Sequence, residues 1–277
     1  MSRVPKMRLD QLLVERGLVE SRNIARGLIL AGHVRVGSVT TDKAGAQVPV
    51  DAELNLKERP RYVSRAGEKL AHGLDVFGLD VRGTRALDVG ASTGGFVDCL
   101  LQHGAAEVVA VDVGYGQLDA RLRNDPRVHV RERINARYLT PADVPFLCDV
   151  LTADVSFISL DKILPAAAGC MEPGFVGVLL VKPQFEAGPE SVGKGGIVRD
   201  PLVHQRVLEH MVDQVSLVPG VRVRGLADSG LPGVGGNREF LLWVERGGVE
   251  GPSPDTLREF VHGAVFQGSG IQGVNGP

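Results

Sequence analysis

The sequence is short of cysteine, of clustered histidine and of long apolar runs, and each shortage excludes something. Its three cysteines, Cys99, Cys148 and Cys170, are odd in number and show no Cys-x-x-Cys spacing. That pattern offers no disulfide framework and fits reduced thiols in a cytoplasmic protein. The histidines are scattered, and His204 and His210 stand six apart, off one helix face. No metal site is expected from them. No apolar run approaches the roughly 20 residues of a membrane-spanning helix. Met1 to Asp10 is basic and polar with no apolar stretch behind it, so it does not read as a signal peptide.

What is present points elsewhere. A chain of 277 residues, 43% of them hydrophobic, can bury a real core as one large domain or a large one plus a small one. Charge is distributed unevenly. Residues 1–69 hold 13 Lys/Arg against 8 Asp/Glu, whereas residues 70–277 hold 18 against 25. The N-terminal quarter is therefore basic on an otherwise acidic chain.

In that quarter, Met7 to Gly17 reads as a short helix with Leu9, Leu12 and Leu13 inward. Ser21 is placed to cap a second helix that buries Ile24, Ala25, Leu28 and Ile29. Short strands follow at Val34–Val36, Gln47–Val50 and Leu54–Leu56. Arg8, Arg16, Arg22, Arg26 and Arg35 fall on the polar faces of this unit. One such arginine is more often simply solvated, but five on a small unit suit a phosphate backbone. The run Arg8-Leu9-Asp10-Gln11-Leu12-Leu13-Val14, with Ser21-Arg22 and Ala31-Gly32-His33-Val34-Arg35-Val36, resembles the S4-type RNA-binding domain. The resemblance implies docking on structured RNA. The domain organisation expected is an S4-type unit over 1–58, a linker over 59–63 carrying Arg59 and Arg61, and a large domain over 64–277. Arg59 and Arg61 join the five as expected RNA contacts.

From Thr84 onward strand and helix patterns alternate. Strands are expected at 85–89, 108–113, 128–132, 150–154, 176–182, 221–224 and 240–244. Helices are expected at 95–103, 117–123 and 160–170. Ser64 is expected to cap a helix through Lys69 to Phe77. Another helix has Asp200 as N-cap and Pro201 in its first turn. The fold class is α/β, a doubly wound sheet. Glu186 to Gly196 is expected to be a mobile surface loop near the site.

Asp88-Val89-Gly90-Ala91-Ser92-Thr93-Gly94-Gly95-Phe96 is a strand running into a glycine turn and a helix, the ligand corner of such a sheet. The spacing is not the GxGxxG of a dinucleotide fold. Asp88 ends one strand and suits a cationic amino group. Asp112 ends the next, where a carboxylate meets ribose hydroxyls. An amino-acid end and a ribose without phosphate describe S-adenosyl-L-methionine; a purely structural turn is the lesser alternative.

The same run resembles the cofactor motif of FtsJ-type ribose 2′-O-methyltransferases. Ala110–Leu118, Asn124–Val128, Asp154–Leu160, Val181–Glu186 and Gly236–Leu241 extend the match. With the basic N-terminal unit, the chain resembles the TlyA family of bacterial rRNA cytidine 2′-O-methyltransferases, whose members have also been labelled hemolysins. The resemblance implies a Rossmann-like S-adenosylmethionine-dependent domain. It also implies 16S and/or 23S rRNA as substrate, within ribosomal subunits or the ribosome, and a Lys-Asp-Lys-Glu set falling on Lys69, Asp154, Lys182 and Glu239. Cofactor contacts are expected from Asp88, Gly90, Ser92, Thr93, Gly94, Gly95, Phe96, Asp112 and Asn135. Phe157 and Ser159 are candidates for the pocket or for packing. Each of the four could equally be an ordinary cap or surface charge; together they suggest Lys182 as base, Asp154 orienting it, and Lys69 with Glu239 placing the ribose. A soluble monomer without metal is expected. The rivals are a membrane-lytic protein, for which no barrel or basic amphipathic pattern is found, and a non-catalytic rRNA-binding or ribosome-assembly protein.

Overall fold

The computed structural model describes residues 4–30, 32–56, 60–248 and 250–267. Arg59 and Ala31 lie outside them. The chain forms two compact units, Met1–Pro60 and Arg61–Pro277.

The first unit begins with strand β1 (Lys6–Arg8), then helices α1 (Leu9–Glu15) and α2 (Arg22–Leu30). Strands β2 (Val34–Val36), β3 (Val39–Thr40), β4 (Gln47–Pro49) and β5 (Leu54–Leu56) follow. β1 pairs antiparallel with β4, so the first helix starts two residues later than its apolar pattern suggests. β2 lies between β3 and β5. The core holds Leu9, Leu12, Leu13, Ala25, Leu28, Ile29, Val34 and Val48, largely the residues the helical spacing turns inward.

The second unit opens with α3 (Ala66–Phe77). Its N-cap is Arg65, with no side-chain cap bond, so the expected capping by Ser64 does not occur. Strand β6 (Arg85–Val89), helix α4 (Gly95–Gln102), strand β7 (Glu107–Asp112), helix α5 (Ala120–Arg123) and strand β8 (Val128–Glu132) come next. They are followed by β9 (Cys148–Ala153), α6 (Leu164–Gly169), β10 (Met171–Val181) and the single turn α7 (Pro183–Glu186). The unit ends with α8 (Pro201–Ser216), β11 (Val221–Asp228), β12 (Phe240–Arg246) and α9 (Pro254–His262). Asp200 caps α8 through the Leu202 N–H, as its Asp-Pro start indicates.

Seven strands form one sheet in the order β11-β12-β10-β9-β6-β7-β8. The neighbours β10, β9, β6, β7 and β8 pair in parallel, and β12 is inserted antiparallel between β10 and β11. Alternate strand residues serve opposite faces, as a period of two requires. Leu87, Val89, Leu151, Ala153, Leu179 and Val181 join the core that includes α6, α8 and α9. Ala86, Val150, Val178 and Leu180 join the core that includes α3 and α4. A set of local contacts follows Glu186. Gly193 and Ile197 form a bridge, the buried Asn237 accepts from the Val198 N–H at 2.9 Å, and the His204 ring bonds the Val198 carbonyl oxygen at 3.1 Å.

Candidate active site

The sheet's carboxyl edge assembles the site. Parallel β6, β9 and β10 end side by side, and each delivers the next residue to that edge: Gly90, Asp154 and Lys182. β12 runs the other way, with Phe240 opposite Val181. Glu239, just before that strand, therefore reaches the same edge.

Two lysine–carboxylate pairs stand there. Lys182 Nζ lies 2.6 Å from Asp154 Oδ1, with 13% and 19% of the two side chains exposed. The same ammonium donates to Ser156 Oγ at 3.0 Å. Lys69, on the face of α3 turned toward the sheet, lies 2.5 Å from Glu239 Oε2, and both residues are buried. Gln184 donates Nε2 to the other Glu239 oxygen at 3.4 Å. Gln184 is two residues beyond Lys182 on α7, so that turn touches both pairs. A lone helix lysine is ordinarily solvent-facing; here burial forces Lys69 to have a partner. Its charge is matched by Glu239.

The turn α7 also faces the loop after β9. The Phe157 and Phe185 rings are 4.9 Å apart at their centroids. Glu186 accepts from Ser159 Oγ and, at 3.0 Å, from the Leu160 N–H. Burial raises the Glu186 carboxyl above its ordinary range, against the opposing effect of those two bonds. Phe157 is 91% exposed and has a φ of 63°, an uncommon backbone state for a bulky residue. Ser156, Gln184 and Glu186 were not singled out by sequence reasoning. Ser156 stands in the run Asp154–Leu160, and Gln184 and Glu186 stand in the run Val181–Glu186, of which only the lysine had an evident role.

A cleft of about 580 Å³ opens beside these pairs. Gly90, Ser92, Asp112, Asn135, Asp154, Ser156 and Phe157 line it, with apolar walls from Val111, Ile134 and Ile158 among others. Gly90 has a φ of 85°, and a Cβ there would stand 2.5 Å from the Asp154 carbonyl oxygen, so only glycine fits. Asp112 accepts from the Ser92 N–H at 2.7 Å and the Gly114 N–H at 2.6 Å. Each oxygen retains capacity for a further donor. Asn135 caps its own turn through the Arg137 N–H. Thr93, Gly95 and Phe96 line a smaller recess of about 70 Å³ with Ser64, Ala66 and Asp154. Gly94 packs against Leu118 and Leu122 instead.

Asp88 stands apart from the rest. It is fully buried, is not among the residues lining the cleft, and accepts from Thr152 Oγ1 at 2.7 Å. Burial pushes its carboxyl up to about 7 against the Thr152 bond, and the negative charges of Asp154 and Asp112 add to the rise. The remaining cleft residues fit S-adenosylmethionine. They offer a glycine turn that admits close approach, a strand-end carboxylate for hydroxyls and apolar walls for a heteroaromatic ring.

In the first unit, Arg8 and Arg22 both bind the buried Asp10. Arg16 donates to the carbonyl oxygens of Val50 and Ala52, and Arg35 to that of Ser38. Arg26 is exposed on α2. Arg61 belongs to the second unit, where its guanidinium lies 5.0 Å from the Tyr62 ring centre.

A seven-stranded sheet with one reversed strand and a glycine turn at its carboxyl edge is the architecture of S-adenosylmethionine-dependent methyltransferases. The chain belongs to the FtsJ-like methyltransferase family, which matches residues 62–246, and it carries an S4 domain matching residues 7–54. It is 44% identical over 266 residues to TlyA of Mycobacterium tuberculosis, a 16S/23S rRNA (cytidine-2′-O)-methyltransferase, covering 95% of this chain and 98% of that one. It is 49% identical over 260 residues to YqxC of Bacillus subtilis, described as a candidate rRNA methyltransferase, covering 91% and 92% of the two chains. A solved structure from Streptococcus thermophilus, described as a candidate hemolysin, is 44% identical with a TM-score of 0.69, covering 95% and 96%.

Proposed function

We propose that the protein transfers the methyl group of S-adenosyl-L-methionine to the ribose 2′-oxygen of a cytidine in 16S rRNA, 23S rRNA or both. The observation that supports this most is the pair of lysine–carboxylate contacts at the sheet edge beside the glycine-turn cleft. The S4 domain and the rRNA-modifying relative point the same site at ribosomal RNA.

The bound cofactor supplies an electrophilic methyl group on a cationic sulfur. The chain's part is to hold the two reactants and manage one proton. A 2′-hydroxyl is a poor nucleophile until its proton has somewhere to go. Lys182 takes that proton through its neutral form, and Asp154 and Ser156 aim its nitrogen. Orienting that nitrogen is the larger part of what Asp154 contributes. Lys69 and Glu239, braced by Gln184, place the ribose. Asp112 holds the cofactor's ribose, Asn135 lies by its adenine, and Gly90, Ser92, Thr93, Gly94, Gly95 and Phe96 shape the loop around its amino-acid end. Arg8, Arg16, Arg22, Arg26, Arg35, Arg59 and Arg61 contribute the RNA-facing charge, and the setting is the cytoplasm.

Replacing Lys182 with alanine is expected to leave cofactor affinity intact and abolish methyl transfer to rRNA. Cofactor binding by calorimetry and 2′-O-methyl mapping of cytidines in both rRNAs check this. Normal turnover in Lys182→Ala would sink the assignment. The hemolysin description of the Streptococcus thermophilus structure favours a second reading, a membrane-lytic protein. Among the described residues no helix is long and apolar enough to cross a membrane. Leakage of liposomes by the purified protein would support that reading, and absence of cofactor binding would favour a non-catalytic ribosome-assembly role.

A further inference from the structure

The first unit contains a buried carboxylate that the proposed function does not use. Asp10 is wholly buried in the first turn of α1. Its position is fixed by the backbone: the Leu9 N–H donates to the Ala46 carbonyl at 2.9 Å and the Asp10 N–H to the Ala44 carbonyl at 3.1 Å. Arg8 forks onto the carboxylate, Nε to Oδ1 and Nη2 to Oδ2, each at 3.0 Å. Arg22, from the start of α2, donates Nη2 to the same Oδ2 at 3.0 Å. Two guanidinium groups, one from the end of β1 and one from the start of α2, therefore share one oxygen. The Arg8 and Arg22 side chains stay 41% and 52% exposed. A Cβ at Gly45 would stand 3.3 Å from the Arg8 guanidinium, which lies against that backbone.

This arrangement has a net positive charge and an anionic centre that solvent does not reach. Two cations held this close repel each other, and both arginines carry substantial rotamer entropy. The shared carboxylate removes both costs before any ligand arrives. A guanidinium has five N–H donors, and the carboxylate engages only two from Arg8 and one from Arg22. The outward donors of two fixed, adjacent guanidinium groups suit the two terminal oxygens of a phosphodiester.

We propose that Asp10 is a positioning residue for RNA binding: it locks Arg8 and Arg22 into one phosphodiester clamp. This rests on the reading of the first unit as the RNA-binding one. It makes a prediction opposite in sign to simple electrostatics. Removing an acid from an RNA-binding surface ordinarily strengthens binding, because the approaching polyanion is repelled less. Removing Asp10 weakens binding, because the clamp comes apart.

The test measures binding of the full chain to transcribed 16S and 23S rRNA across a salt series. Asp10→Asn is expected to lower affinity about tenfold and to reduce the salt slope by about one. Glu15→Gln, which removes an exposed acid from the same helix, is expected to leave affinity unchanged or raise it. In an Arg8→Ala/Arg22→Ala background, adding Asp10→Asn is expected to change nothing further. A purely structural role for Asp10 predicts an additional loss there, and that result would overturn the proposal. So would wild-type or tighter binding by Asp10→Asn in the otherwise native chain. If the wild-type chain binds neither rRNA, the RNA-binding reading falls and takes the clamp with it, an outcome distinct from the other two.

Discussion

At the residue scale, the site depends on carboxylates held where charge alone would not keep them. Glu239 is buried, and a Cβ at Gly233 would stand 1.9 Å from its Oε1. The Gly233 backbone itself is extended and unstrained, with a φ of −74°. Gly233→Ala therefore acts by displacing Glu239 rather than by straining the chain. A displacement near 1 Å at a positioning group costs up to about 100-fold in rate. The expected outcome is a large fall in methyl transfer with little change in melting temperature, read by an rRNA methylation assay and a thermal melt. Asp88 gives a second prediction. Its carboxyl titrates near 7 in the folded chain, above the ordinary 3.8. Between those values the folded protein holds a proton that the unfolded chain releases, so this group's contribution to stability falls as pH rises from about 4 to about 7. Asp88→Asn is expected to flatten that slope and to be relatively more stable than the parent above pH 7. Urea midpoints for both proteins across the window check it.

At the scale of elements, the sequence was informative where apolar pattern and backbone chemistry agree. The seven strands of the large sheet follow from short apolar runs bounded by turn residues, and α8 starts where Asp200 and Pro201 say it must. The reversal of β12 was not legible, because an apolar run such as Phe240–Val244 carries no direction. Its direction and partners are tertiary facts, fixed by pairing with β10 and β11. β3 was missed because a strand of two residues has too little pattern to stand out, and β1 because Met7 and Arg8 were read into the first helix. The cap expected at Ser64 failed because α3 starts beyond Arg65 without a side-chain bond. Within the site, Asp112 was placed on the cleft by its strand-end position, whereas Asp154, Lys182 and Glu239 came from the family resemblance. Ser156 and Gln184 were not legible, since their partners lie 26 and 55 residues away. The arginines of the first unit read correctly as polar-face residues, but spacing did not show that Arg16 and Arg35 turn donors onto backbone carbonyls.

At the scale of the whole molecule, two units with separate cores lie on one chain. The second begins at the residues that its core requires. Tyr62 is 2% exposed within that core, the Val63 N–H donates to Asp98 at 2.8 Å, and the Arg61 carbonyl accepts from Gln102 at 2.9 Å. A fragment from Arg61 onward is expected to melt as one cooperative unit. A fragment from Ser64 onward is expected to be less stable by about 2 kcal/mol, the scale of one buried aromatic side chain. Paired chemical denaturation curves separate the two, and equal midpoints would show that the Arg61–Val63 strip is dispensable.

The reversed strand has a consequence in time as well as in space. Lys69 and Glu239 meet across 170 positions of sequence, and the strand behind Glu239 inserts between two made earlier. A ribosome producing this chain therefore releases Lys69, Asp154 and Lys182 long before the fourth member exists. Until β12 enters, β10 and β11 lack their shared neighbour. The four side chains can therefore come together only after β12 has been made and has closed the sheet.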